Sequence, residues 1–240
     1  MSAILSIRKL AKSFYIHGLK KEIAALAEVD LTVDSGEFIG IAGISGSGKS
    51  TLFRCIYRTY LPQSGEMWFH SAKFGWIDLA QADLRQIIYL RKHEIGYVSQ
   101  FLRVLPRTTA MEMVTQAALE RGASFGVAQS EAEKLLRHFQ LDQKLWDSYP
   151  GSFSGGEKLR LNIAQAMITR PRLLLLDEPT ASLDPDAKLR VRDLIRQLMQ
   201  AGTTMLGIFH DHDFMGELCH REYRIKDGRL IAWEDKVYAD

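Results

Sequence analysis

The sequence has no long apolar run. Its 240 residues contain no stretch of about 18 apolar side chains, which is the length that a membrane-spanning helix needs. Residues 1–10 alternate apolar with polar side chains and lack the apolar core of a signal peptide. We therefore expect a cytoplasmic protein without direct membrane insertion, which would serve a membrane system only as a peripheral subunit.

Cysteine and net charge are also scarce. The two cysteines, Cys55 and Cys219, lie far apart and form neither a CxxC pair nor a metal-ligand cluster. We expect two reduced, buried thiols. The formal net charge of +2 is too small to indicate a nucleic-acid partner. Low-complexity tracts, internal repeats and heptads are absent as well, which disfavours coiled-coil and repeat architectures.

Apolar runs alternate with segments of helical periodicity, which predicts an α/β fold. The segment 101–160 has few strand signals, so we expect it to be helical. A closing hairpin is expected over 223–233. Strands are predicted at 4–10, 29–33, 38–42, 173–176 and 204–209, and helices at 49–57, 186–200 and 211–219.

A glycine-rich run lies between a predicted strand and a predicted helix. It matches GxxxxGK[ST], a loop that wraps a triphosphate with backbone N–H groups and therefore needs glycines. Lys49 would neutralise the β- and γ-phosphates, and the Ser50 hydroxyl would ligate Mg²⁺. A glycine-rich turn with an incidental lysine is the alternative explanation. The run is Gly43-Ile44-Ser45-Gly46-Ser47-Gly48-Lys49-Ser50.

Two acidic residues follow a run of four leucines. Asp177 and Glu178 come directly after residues 173–176, which are predicted to form a buried strand of a parallel sheet. An aspartate at a strand end can hold Mg²⁺, directly or through water, and Glu178 would orient and polarise the attacking water. A helix N-cap explains the same pattern, but the upstream phosphate loop favours a metal site.

A second glycine-rich run, Phe153-Ser154-Gly155-Gly156-Glu157, precedes a predicted helix. Serine followed by two glycines at a helix start forms an anion-binding N-terminus. One chain has little need of two cradles for one phosphate, so the second cradle would close over the ATP of a partner. A tight turn before a helix is the alternative.

These motifs resemble those of the nucleotide-binding domains of ABC proteins, over essentially the whole chain. The phosphate loop and Asp177-Glu178 correspond to Walker A and Walker B, and residues 153–157 to the ABC signature, usually LSGGQ. Phe and Glu replace the outer Leu and Gln here, which leaves Ser154 and the glycines intact but puts a role for Glu157 in doubt.

The resemblance implies roles for further residues. Gln100 would contact Mg²⁺ and water as the Q-loop residue, Asp184 would belong to the D-loop that communicates across a dimer, and His210 would sense the γ-phosphate. Phe14 would stack on adenine, with Tyr15 as a competitor and a core or edge-strand aromatic as the alternative. The implied ATP-binding residues are Phe14, Gly43, Ser45, Gly46, Ser47, Gly48, Lys49, Ser50 and Thr51. The implied catalytic residues are Glu178, His210 and Gln100, and the implied metal ligands are Ser50, Gln100 and Asp177. The residues implied to act across the dimer are Ser154, Gly155, Gly156, Glu157 and Asp184.

The resemblance also implies an architecture and partners. It predicts a single P-loop NTPase domain of the ABC type, with a mixed sheet core and an N-terminal antiparallel β subdomain formed by 1–100 and 161–240. A helical subdomain formed by 101–160 would be inserted in that core. ATP and Mg²⁺ are the implied cofactors, and the implied assembly is a homodimer or a heterodimer with another ABC subunit, without nucleic acid.

A narrower resemblance concerns the surroundings of the Q-loop, residues 98–107, VSQFLRVLPR. This run is similar to that of the PhnL-type subunits of the bacterial carbon–phosphorus lyase system, and the resemblance runs from roughly residue 4 to 230. It includes Arg54, Tyr57, 60–62, 76–79, 153–157 and 207–211. That implies a soluble carbon–phosphorus lyase core complex as partner, which forms ribose 1-methylphosphonate 5-triphosphate from ATP and alkylphosphonate. The alternative is the cytosolic ATPase of a membrane transporter of the lipoprotein-release or macrolide-export type.

Overall fold

Two β-sheets form the framework of the chain. The computed structural model describes residues 2–99, 102, 106–180, 183, 185–209 and 212–232, and only the backbone of Leu19, His212 and Asp213. The strands within these residues are β1 (Ala3–Ile16), β2 (Lys21–Asp34), β3 (Phe38–Ala42), β4 (Ser64–Ser71), β5 (Gly75–Asp78), β6 (Ile95–Val98), β7 (Leu173–Asp177), β8 (Thr204–Ile208), β9 (Arg221–Lys226) and β10 (Arg229–Ala232). The helices are α1 (Lys49–Ile56), α2 (Leu84–His93), α3 (Ala110–Glu120), α4 (Phe125–His138), α5 (Gly155–Met167), α6 (Pro185–Gln200) and α7 (His212–Gly216).

The first sheet is antiparallel, with strand order β2-β1-β4-β5. Its long hairpin of β1 and β2 extends well beyond the predicted strands at 4–10 and 29–33. A 3₁₀ turn at His17–Leu19 closes the hairpin, and Lys20 takes a left-handed conformation with φ 47°. The outer half of the hairpin is partly or fully exposed, so burial does not impose on it the apolar alternation from which strands are predicted.

The second sheet is largely parallel, with strand order β10-β9-β3-β8-β7-β6. Only the β9–β10 hairpin at its edge is antiparallel among the strands of the described residues. The four leucines of β7 are fully buried. Leu174 and Leu176 pack on one side of the sheet, whereas Leu173 and Leu175 pack on the other. Covering both faces explains why the strand is a continuous apolar run.

Helices cover the two sides of this sheet. One core cluster contains buried residues of α3, α4, α5 and α6, and the other joins α1 and α2 to the antiparallel sheet. Capping boxes begin α3 at Thr109 and α5 at Ser154, which explains why these helices start where they do. The helix α7 covers less than the predicted 211–219, and residue 211 lies outside the described part.

The described residues of 101–160 form helices and turns, as the sparse strand signals predict. The limits of a helical subdomain stay a prediction. The mixed α/β fold with an antiparallel sheet and a helical part is confirmed. None of the helices in the described ranges combines the length and apolar character that a membrane span needs.

Candidate functional site

The phosphate loop connects β3 to α1. Gly43, Gly46 and Gly48 all have positive φ, at 148°, 77° and 111°. A Cβ on Gly48 would lie 2.1 Å from the Ala25 carbonyl oxygen of β2, so a side chain cannot fit there. The strand β2 therefore packs directly against the loop. Only glycine permits both the positive φ and the close approach of the Gly48 backbone to β2.

The loop has the properties of an anion cradle. A Cβ on Gly46 would meet nothing within 4 Å, so the backbone there is open to a ligand. The Ser47 hydroxyl oxygen is buried and has no hydrogen-bond partner in the described structure. Buried polar atoms are normally satisfied, so a phosphate oxygen is a suitable partner. Ser45 lies in the same loop, and Thr51 lies in the first turn of α1. The partial positive charge at the N-terminus of α1 also favours a bound anion.

Lys49 is buried and turned toward its own loop. Its Nζ donates hydrogen bonds to the carbonyl oxygens of Gly43 (2.7 Å) and Ile44 (3.0 Å). Burial lowers the pKa of Lys49, and the nearby carboxylates of Glu178 and Asp177 oppose that shift. To reach the phosphates of a nucleotide, the ammonium must therefore exchange these carbonyl contacts for phosphate oxygens.

Ser50 and Asp177 come together at the edge of the parallel sheet. The Ser50 hydroxyl lies 3.3 Å from Asp177 Oδ1, although 127 positions separate them in the chain. A hydroxyl and a carboxylate, completed by phosphate oxygens and water, form the donor set that Mg²⁺ prefers in phosphoryl-transfer sites. The described residues hold no group of three or more His, Cys, Asp or Glu side chains placed to bind a metal. The hydroxyl of Ser50 and the carboxylate of Asp177 are suitable ligands for a magnesium ion whose other ligands are nucleotide phosphate oxygens and water.

Tyr97, on β6, is a neighbour of this pair that the motifs do not indicate. Its hydroxyl donates a 2.5 Å hydrogen bond to Asp177 Oδ2. Burial, then the bond to Asp177, raises the pKa of Tyr97, so the phenol remains a neutral donor. The sequence signal for this residue is only its position in a short apolar strand, three residues before Gln100.

Glu178 follows Asp177 in a left-handed conformation with φ 53°. Such a conformation is uncommon for a residue other than glycine and clusters at functional sites. The Glu178 N–H donates to the Ile208 carbonyl oxygen of β8 at 3.1 Å, which holds the backbone in place. The carboxylate of Glu178 is close enough to Lys49 to influence its pKa. The structure therefore places the proposed base beside the phosphate loop.

Phe14 lies in the outer part of β1. Its neighbour Ser13 pairs with Ala24, so this part of the hairpin is next to the Ala25 carbonyl that backs the loop. The Phe14 ring contacts Tyr60 edge-on at 5.2 Å, and Lys12 Nζ lies 5.1 Å from its centroid. Tyr15, the competitor, is 55% exposed. Adenine stacking on Phe14 stays a prediction.

The signature run begins α5. The Ser154 hydroxyl accepts a hydrogen bond from the Glu157 N–H, while Glu157 Oε2 accepts one from the Ser154 N–H at 2.7 Å. Glu157 therefore has a structural role in the capping box. A Cβ on Gly155 would lie 2.9 Å from Leu183 Cδ2, so this glycine permits close packing. Three residues with implied roles, Gln100, Asp184 and His210, lie outside the described residues.

The glycine cradle at the end of β3, with a hydroxyl and a buried aspartate beside it on a largely parallel sheet, defines the class of P-loop nucleotide-binding proteins. A sequence model of the ABC transporter family matches residues 26–181. The chain belongs to that ABC family.

Individual relatives agree with this assignment. The lipoprotein-releasing system ATP-binding protein LolD of Shewanella oneidensis is 34% identical over 95% of both chains. The macrolide export ATP-binding/permease protein MacB of Nitrosomonas europaea is also 34% identical over 95% of this chain, which spans about a third (34%) of that protein. The dimeric cassette MJ0796 bound to ADP and Pi superimposes with a TM-score of 0.85 at 28% identity, covering 95% of this chain and 96% of that one. These names support the transporter alternative more than the carbon–phosphorus lyase expectation.

Proposed function

We propose that this chain binds Mg·ATP in the phosphate loop and hydrolyses it to ADP and phosphate within a head-to-tail dimer. The observation that carries the proposal is the convergence of Ser50, Asp177 and Glu178 beside the glycine cradle. These side chains come from two distant segments of the chain, and together they form a set of groups suited to phosphoryl transfer.

The residues of one protomer have separate roles in binding phosphate, metal and water. Backbone N–H groups of the loop hold the phosphates, and Lys49 adds a positive charge opposite the β- and γ-phosphates. Ser50 and Asp177 would hold Mg²⁺, which neutralises charge that develops on the phosphate oxygens. Glu178, fixed by its N–H bond to β8, orients the attacking water and accepts its proton.

A second protomer would complete the site. The Ser154 hydroxyl and the Glu157 carboxylate satisfy each other's backbone N–H groups, which leaves the N–H groups of Gly155 and Gly156 for an external anion. The γ-phosphate of the partner's ATP is the anion we assign to them. The dimeric form of the relative MJ0796 with ADP and Pi supports this arrangement.

A cleft of about 1020 Å³ is the candidate docking surface for the machine that the ATPase drives. It lies between β6, α1, α3 and α5, and Arg54, Arg91, Asn162 and Gln165 contribute to its walls. Ser50 and Asp177 also reach it. A partner segment seated here would contact the elements that carry the phosphate and metal ligands, so docking and hydrolysis would be coupled.

Two candidate machines compete for this surface. The comparisons favour a membrane transporter, in which this chain would be the ATPase subunit on the cytoplasmic side. Relatives named for lipoprotein release and for macrolide export share the same 34% identity, so identity alone does not single out one cargo.

The second candidate is the carbon–phosphorus lyase machinery, and its support is the sequence resemblance around residues 98–107. In that role the subunit would supply ATP-driven conformational work for the synthesis of ribose 1-methylphosphonate 5-triphosphate. The described site has groups for hydrolysis of a phosphoanhydride, whereas attack on a sugar carbon would fall to another subunit.

Affinity purification separates the candidates. Tagged Glu178→Gln protein is purified from its native cells with Mg·ATP and mild detergent. The double variant Lys49→Ala/Glu178→Gln serves as the control with weakened nucleotide binding. ATP-dependent recovery of an integral membrane permease supports the transporter role. Recovery of soluble carbon–phosphorus lyase subunits supports the phosphonate role and excludes transport as the main function.

A further inference from the structure

The Asp177 carboxylate has a fixed partner for each of its two oxygens. Oδ1 lies 3.3 Å from the Ser50 hydroxyl, and Oδ2 accepts the hydrogen bond of the Tyr97 hydroxyl at 2.5 Å. We propose that Tyr97 is a positioning residue that holds the Asp177 carboxylate in the orientation in which Oδ1 meets Mg²⁺. The inference rests on the proposed ATPase function and deepens its account of the metal site.

The two hydrogen-bond partners restrict the rotation of the Asp177 carboxylate. A carboxylate on a single bond to Cβ rotates easily, and its two oxygens are chemically equivalent. The hydrogen bond from Tyr97 removes that equivalence, because one oxygen is occupied and the other faces Ser50. The ligand set is thereby arranged before the metal binds, which is the usual effect of a hydrogen-bonded partner behind a metal ligand.

The Tyr97 ring is itself held in place. Its centroid lies 5.0 Å from the ring of Tyr57 and 6.5 Å from that of Phe53, which is fully buried. Phe53 belongs to α1, the helix that also begins with Lys49 and carries Ser50. Tyr97 therefore connects β6 to Asp177 of β7 and to Phe53 of α1.

The Tyr97 ring would have a packing role even if its hydroxyl had none. A phenylalanine would fill the same space against Phe53 and Tyr57, so Tyr97→Phe separates the two functions of the residue. Tyr97, Ser50 and Asp177 all line the open cleft, so water can replace the lost hydrogen bond. We therefore expect weaker metal binding and not a loss of the fold.

The test measures the metal directly. Mn²⁺ binding to the protein with a non-hydrolysable ATP analogue is followed by electron paramagnetic resonance for wild type, Tyr97→Phe and Tyr89→Phe. The last variant removes a hydroxyl from a tyrosine of α2 that packs against Phe74 and His93, outside the site. We expect Tyr97→Phe to weaken Mn²⁺ binding roughly tenfold and to raise the half-saturating Mg²⁺ concentration for hydrolysis in parallel.

Two further readouts complete the test. Affinity for the analogue without metal, and the melting temperature, should match between Tyr97→Phe and Tyr89→Phe. Equal Mn²⁺ affinity in all three proteins would overturn the positioning role while leaving the ATPase proposal standing. A metal-free loss of analogue affinity in Tyr97→Phe would also overturn it, because the hydroxyl would then support the whole pocket. Failure of wild type to bind the analogue at all would overturn both proposals.

Discussion

Lys49 holds the positive charge of the phosphate loop in a buried position. Its Nζ contacts the carbonyl oxygens of Gly43 and Ile44, and the carboxylates of Asp177 and Glu178 lie nearby. A nucleotide would replace neutral carbonyl partners with charged phosphate oxygens, and charge-assisted hydrogen bonds are the stronger ones.

Replacing Lys49 with alanine removes that charge. We expect Lys49→Ala to bind ATP at least about tenfold more weakly, since a hydrogen bond to a charged group contributes roughly 1.5–3 kcal/mol. Fluorescence titration with a labelled ATP analogue measures the affinity, and the exposed Lys134 of α4 supplies a Lys134→Ala control. Wild-type affinity in Lys49→Ala would contradict the assignment of the phosphate loop.

Gly48 is the residue at which a side chain is least tolerable. Its φ of 111° is unfavourable for other residues, and a Cβ would lie 2.1 Å from the Ala25 carbonyl oxygen. We expect Gly48→Ala to lower the free energy of unfolding by about 2–4 kcal/mol, because backbone strain and overpacking each cost about 1–3 kcal/mol. Gly75→Ala is the matched control, because Gly75 also has positive φ (66°) but open space around it. Urea unfolding should show a loss of only about 1 kcal/mol for the control; equal losses would refute the close contact with β2.

Some contacts between single residues of the site are not predicted by sequence patterns. The spacing of glycines, Lys49 and Ser50 indicates the cradle because the motif is local in the chain. Tyr97 and Asp177 are 80 positions apart, and their contact depends on the register in which β6 pairs with β7. No local pattern encodes that register, so the sequence did not single out Tyr97.

At the scale of elements, Arg221 of β9 joins the two sheets. Its guanidinium donates to both carboxylate oxygens of Glu37, in the turn before β3, and to the Thr32 carbonyl oxygen of β2 at 2.6 Å. Burial opposes ionisation of Glu37, but the hydrogen bonds from Arg221 and from the Asp34 backbone outweigh it and lower the pKa of Glu37. This contact fixes the antiparallel sheet against the parallel one.

Because the folded-state pKa of Glu37 is lowered, its stabilising effect is present above the unfolded-state pKa and is lost as pH falls through the folded-state value. We expect Arg221→Ala to lower the free energy of unfolding by about 1–3 kcal/mol at pH 7 and to flatten its decline below about pH 5. Arg229→Ala, which removes an exposed 3.9 Å contact with Glu28, should cost less than about 1 kcal/mol. Identical pH profiles for Arg221→Ala and wild type would exclude the Glu37 contact as a source of stability.

Elements buried on both faces were the easiest to predict. The strands β3, β7 and β8 are continuous apolar runs, and the predicted spans match them within about a residue, which is the usual uncertainty of such ends. The outer half of the β1–β2 hairpin was not predicted, and the helix predicted at 211–219 is longer than α7 (His212–Gly216). Exposed or short segments have weak periodicity, which explains both errors.

At the scale of the whole molecule, the proposed hydrolysis reaction requires two copies of the chain. Ser154 begins α5 at the surface that would face the partner's nucleotide. We expect Ser154→Arg to keep ATP affinity within about twofold and to reduce hydrolysis at least about 100-fold, because its bulk and charge would occupy the place of the γ-phosphate. Coupled-assay rates measure hydrolysis, and Ser152→Arg, in the turn before the signature, tests whether any added arginine has this effect. ATP hydrolysis by Ser154→Arg at the wild-type rate would contradict the proposal that two protomers share one site.

The motifs and their order allowed the family and fold to be predicted from sequence. The partner could not be derived in the same way, because ATP chemistry is common to the family. The cleft beside β6 is only a proposed docking surface. Residues 100, 101 and 103–105, which belong to the run around the predicted Q-loop, lie outside the described part of the chain.

The mass of the Glu178→Gln protein in the presence of Mg·ATP tests the central claim most directly. Loss of the base should slow hydrolysis at least about 100-fold, so ATP should persist between two protomers. Light scattering during size exclusion should then give twice the 27.2 kDa of the chain with Mg·ATP, and the single mass with Mg·ADP. A variant that binds ATP stoichiometrically yet remains at 27.2 kDa would contradict the shared site.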